Sequence, residues 1–77
     1  MNKARRKRIQ EACELIRRAQ EIITEVREEE DEAYNNLPES FQYGEKGEAM
    51  EEAIDTLSDA EDCLDETESN LMYLAEN

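Results

Sequence analysis

The chain has 77 residues, 40% charged and 38% hydrophobic, with two glycines, one proline and no histidine. A chain this short has room for one domain and buries little apolar surface alone; below roughly 80 residues a disulfide, a metal or a partner chain usually helps. Without histidine it lacks the usual general base, the commonest metal ligand and the near-neutral pH switch.

The first predicted helix runs from about residue 2 to 35. Counted in heptads from Ile9, its a and d positions are Ile9, Ala12, Ile16, Ala19, Ile23, Val26, Glu30 and Ala33. A stripe at this spacing marks a helix that buries one face. Leu15 and Ile22 widen it, and Glu30 interrupts it where the acidic run Glu28 to Glu32 begins.

The segment 36–47 reads as the turn. Pro38 disfavours helix at Leu37 and suits the start of a new turn. Asn35 and Asn36 are expected as caps, Gly44 and Gly47 as the freedom to reverse direction, and Phe41 and Tyr43 as an aromatic plug over the open end.

The second predicted helix runs from about 48 to 75. Its a and d positions are Met50, Ala53, Leu57, Ala60, Leu64, Thr67, Leu71 and Leu74, with Ile54 beside them. Large and small residues alternate in both helices, which permits close approach. The fold class is therefore all-α: one antiparallel two-helix coiled-coil hairpin over residues 1–77. With a turn centred near residues 41–42, residue i sits level with about 83 − i. That places Arg17 and Arg18 beside Glu66 and Asp65, and Arg27 beside Thr56 and Asp55. Cys13 and Cys63 are then about 10 Å out of step, so two free thiols packed as small apolar groups are expected. Leu15, Ile22, Ile54, Met72 and Tyr73 flank the seam, and pairing two hairpins into a homodimeric four-helix bundle would cover them.

Charge is segregated along the chain. Residues 1–27 carry eight basic side chains against four acids, and residues 28–77 carry eighteen acids against Lys46 alone, which gives +4 and −17. The basic cluster Lys3, Arg5, Arg6, Lys7 and Arg8 can pair with acids within an assembly or contact phosphates. The second helix carries an acidic face in which Glu51, Glu52, Asp55, Asp59, Asp62, Asp65 and Glu66 are the candidate partner-binding residues. Carboxylates strung along a rod of about 45 Å imitate the charge spacing of a nucleic-acid backbone and suit a basic groove on another protein.

No catalytic residue, metal site or cofactor is expected. The two cysteines match no zinc spacing, the acidic runs lack the pattern and central glycine of an EF-hand loop, and no glycine-rich phosphate loop is present. There is no apolar leader and no run of about 18 apolar residues, so a soluble cytoplasmic protein with reduced thiols is expected.

The stretch Asn36-Leu37-Pro38-Glu39-Ser40-Phe41-Gln42, followed by Gly47-Glu48-Ala49-Met50-Glu51-Glu52-Ala53-Ile54, resembles short acidic helical proteins of phages and mobile elements of Gram-positive gut bacteria. The resemblance implies no activity. It implies an accessory protein that acts in a bacterial host by binding, and by analogy an inhibitor of host defence. Two functions are thus expected in competition with a plain coiled-coil spacer. One is a non-enzymatic protein that docks its acidic face in a basic, nucleic-acid-binding groove. The other is a dimer like the plasmid copy-number protein Rop, which contacts RNA or DNA through the basic tip.

Overall fold

The computed structural model describes residues 1–76 and consists of α1 (Lys3–Asn35), a single-turn α2 (Glu39–Gln42) and α3 (Glu45–Glu76), with no strand among the described residues. The two long helices pack side by side as a hairpin, 58 × 14 × 13 Å in extent. Its radius of gyration is 17.3 Å, against about 12 Å for a compact chain of this length.

α1 begins at Asn2, whose side-chain Oδ1 accepts the Arg5 backbone N–H at 2.8 Å. This fills one of the four donors that a helix start leaves unpaired. The helix then runs unbroken through the acidic stretch Glu28 to Glu32. It ends at Asn36, whose backbone N–H donates to the Glu32 and Tyr34 carbonyls. Pro38 sits just ahead of α2, and its carbonyl receives the Phe41 and Gln42 N–H groups at 2.8 and 3.2 Å.

The turn is closed differently from the sequence expectation. Phe41 and Tyr43 form no plug, for they are 55% and 76% exposed. The closing residue is Gln42, whose amide donates to the Tyr34 and Leu37 carbonyls, 3.1 Å each. A polar amide can satisfy the loose carbonyls at the end of α1, and an aromatic ring cannot. Among the described residues none has positive φ, so the glycines do not supply left-handed backbone. Gly47 lies buried inside α3, where a Cβ would overlap the Gln42 carbonyl. Its missing side chain lets α2 fold back onto α3.

The register is displaced by two to five residues from the sequence expectation. Arg17 meets Glu68, Thr24 and Arg27 meet Glu61, and Tyr34 meets Glu51. Arg17 and Arg27 therefore do not pair with Glu66 and Asp55, and Arg18 pairs with Glu21 on its own helix instead of Asp65. The same register sets Cys13 opposite Ala75, the two buried apolar residues. Both cysteines are free. Cys13 is packed as expected, but Cys63 is exposed.

The seam is also broader than expected. Both helices keep the expected a row: Ile9, Ile16 and Ile23 on α1 and Leu57, Leu64 and Leu71 on α3 are all half-buried, and the register sets Ile16 near Leu71 and Ile23 near Leu64. A further row lies four residues on from each a position, beside the expected d row, of which Ala12, Ala19, Ala53 and Ala60 are half-buried. This further row comprises Cys13, Gln20, Arg27 and Tyr34 on α1 and Ile54, Glu61, Glu68 and Ala75 on α3, all of them buried or half-buried. Val26, Ala33, Thr67 and Leu74, expected in the seam, are exposed. The reason is reach: long polar side chains span the gap between the helices and satisfy one another there.

Candidate functional site

The side chains with chemistry fall into three groups. The first is the polar ladder along the seam. Arg17 donates from Nε to Glu68 Oε1 at 2.6 Å, and Arg27 donates to Glu61 and, at 2.8 Å, to Asp31. Thr24 adds a hydroxyl donor to Glu61 at 3.0 Å. With its amide turned towards α3, Gln20 donates to Glu68 Oε2 at 2.8 Å. The hydrogen bonds to Glu68 and Glu61 hold the Arg17 and Arg27 guanidinium groups above their ordinary pKa, so both stay charged. Glu61 and Glu68 were not among the candidate site residues. Their signal lay in the spacing: each follows a seam leucine, Leu57 or Leu64, by four residues.

The second group is the acidic face of α3. Glu52, Asp55, Asp59, Asp62 and Glu66 recur at intervals of three and four residues, so they form one ridge on the helix. All five are exposed, and no hydrogen bond or ion pair engages their carboxylates among the described residues. Asp65 lies beside the ridge, also exposed. Glu51 is set apart, because its carboxylate accepts the Tyr34 hydroxyl at 2.6 Å. The structure thus brings together six of the seven expected residues and assigns Glu51 to the seam.

The third group is the basic tip. The register sets Glu76 level with residues 9–12, so Lys3 to Arg8 project beyond the described part of α3. Lys3, Arg5, Lys7 and Arg8 are exposed and form no ion pair among the described residues, while Arg6 is half-buried. An open groove at this tip is lined by Met1, Arg5, Arg8, Ile9, Ala12 and Leu15. A second open groove crosses both helices, between Val26 and Glu30 on α1 and Ala49, Glu52, Ala53, Thr56 and Leu57 on α3. Among the described residues no three carboxylates or thiols converge as a metal site requires. No helix among the described residues is long and apolar enough to cross a membrane.

Compared with known proteins, the chain matches no family model, no curated protein and no solved structure.

Proposed function

We propose that this protein is a non-enzymatic accessory protein that binds another protein, laying the acidic ridge of α3 in a basic, nucleic-acid-binding groove. The observation that carries the reading is the unpaired ridge Glu52, Asp55, Asp59, Asp62 and Glu66. At a rise of 1.5 Å per residue it presents one negative charge every 5 Å or so. One strand of DNA presents one about every 3.4 Å. The acids that stabilise the hairpin, Glu61 and Glu68, lie elsewhere on the helix, which leaves the ridge free for a ligand. A rigid helix carrying fixed charges loses little order on binding, so attraction converts into affinity efficiently. The resemblance to short phage and mobile-element proteins adds a setting, inhibition of a host protein that handles nucleic acid.

The test is a pulldown from bacterial lysate with the wild-type chain and with the triple variant Asp55→Lys, Asp59→Lys, Asp62→Lys. The wild type is expected to retain a nucleic-acid-binding protein that added duplex DNA or raised salt displaces. The triple variant is expected to lose at least tenfold in affinity with its helical circular dichroism intact. Binding that survives charge reversal and resists DNA overturns the proposal. Direct retention of RNA or DNA by the wild type, abolished by reversing Arg5 and Arg8, would instead place function on the basic tip.

A further inference from the structure

The expected d rows, half-buried at Ala12, Ala19, Ala53 and Ala60 and exposed at Val26 and Leu74, lie along one broad side of the hairpin. The groove lined by Val26 and Glu30 on α1 and by Ala49, Glu52, Ala53, Thr56 and Leu57 on α3 shows that the two helices present this side together, with two carboxylates towards its turn end. The cross-helix bonds of Arg17, Thr24 and Tyr34 lie on the other side of the seam. The d-row side is therefore nearly uncharged between Ala12 and Val26, and Leu15, Ile22 and Val26 stand on it 73%, 47% and 42% exposed.

We infer that this side packs against the same side of a second copy of the chain, turned so that the two turns lie at opposite ends. Three observations select that occupant. The hairpin exposes 5916 Å², whereas a compact chain of 9.0 kDa exposes about 4,900 Å². The excess, of order 1,000 Å², is close to the roughly 800 Å² per partner that a stable interface covers. The second is the alternation of large a and small d residues on both helices, which lets two such sides interlock at an interaxial distance of about 8–10 Å.

The third observation is electrical, and it fixes the direction. α1 carries five cations within residues 3–8 and the acids Glu28 to Glu32 near its other end. Both are opposed by the helix dipole, since the first turn of α1 holds no acid and the last turn no base. The turn end as a whole, residues 28–48, holds eight carboxylates and one cation, Lys46. Reversing the second copy end for end sets each basic tip against the partner's acidic turn end. Placing the turns together would instead stack tip on tip. In the reversed pairing Ala19 meets the partner's Val26, Ala12 meets the partner's Ala33, and the tip reaches the partner's Glu39. Glu52, at one end of the acidic ridge, lines the groove on this side, while Asp55 and Asp62 lie farther round α3.

Sedimentation equilibrium of the full chain at low salt is expected to give twice the mass of one chain, with dissociation favoured as salt is raised. One chain mass throughout the micromolar range overturns the inference, as does a dimer that tightens with salt. Ile22→Asp combined with Val26→Asp is expected to weaken the dimer at least tenfold, and an unchanged dissociation constant also overturns it. Should that variant lose helicity, spin labels decide. A nitroxide on Glu39→Cys in a Cys63→Ser chain is expected to report a distance between protomers of about 50 Å, the buried Cys13 staying unlabelled. A distance below about 25 Å places the turns together and sinks the reversed arrangement.

Discussion

Tyr34 shows how a polar residue can hold a helix pair. Its ring is half-buried at the turn end of the seam, and its hydroxyl donates to Glu51 across the helices. That hydrogen bond, and then partial burial, raise its pKa above the ordinary 10.0. A raised folded-state pKa means that the contribution is complete below pH 10 and is lost as pH rises through the raised value. The wild type is expected to lose stability more steeply above pH 10 than Tyr34→Phe, as urea midpoints measured from pH 8 to 11.5 would show. Parallel profiles would remove Tyr34 from the account. The residues that hold the seam were only half legible in the sequence. Isoleucines and leucines seven apart announce themselves, because burial is periodic. That both flanks contribute was not legible: Ala12 and Ala19 are half-buried as the apolar pattern predicts and Val26 is not, while Gln20, Arg27 and Tyr34 join them because their length and donors match Glu68, Glu61 and Glu51.

At the scale of elements, the two long helices were readable within a few residues and the turn was not. Periodicity fixes a helix that buries a stripe, whereas a turn depends on a few specific contacts that composition does not reveal. Gly47 illustrates the difference. Within a helix, alanine is ordinarily better than glycine by about 1 kcal/mol. Here a Cβ would collide with the backbone of Gln42, which cannot swing away as a flexible side chain can. Gly47→Ala is therefore expected to destabilise by about 1–3 kcal/mol despite its better propensity, measured by urea denaturation. Gly44→Ala is the control, since its nearest neighbour, the Phe41 carbonyl oxygen, lies 3.7 Å from the added carbon. Equal effects at both glycines would refute the close approach. The start of α3 at Glu45 follows from the same packing, and Glu45 and Glu48 in its first turn suit the helix dipole.

At the scale of the whole molecule, the charge map was fully legible and the register was not. The basic tip and the acidic ridge appear where the sequence put them, but an error of a few residues in register propagates along the whole seam. It moved every predicted cross-helix ion pair. The antiparallel ladder also has a consequence in time. Its contacts join residues ever farther apart in the chain, from Tyr34 with Glu51 to Arg27 with Glu61 and Arg17 with Glu68. Each longer closure costs more entropy, by about 0.6 kcal/mol per doubling of the loop, unless the rung before it has already formed. Zipping from the turn is then the cheapest route, and melting starts at the open end. Amide exchange in dilute protein is expected to quicken steadily along α1 from Arg27 back towards Arg8, and uniform protection would contradict it. The clasp of Gln42 on Gly47 is then the hinge pin, the first part to form and the last to let go.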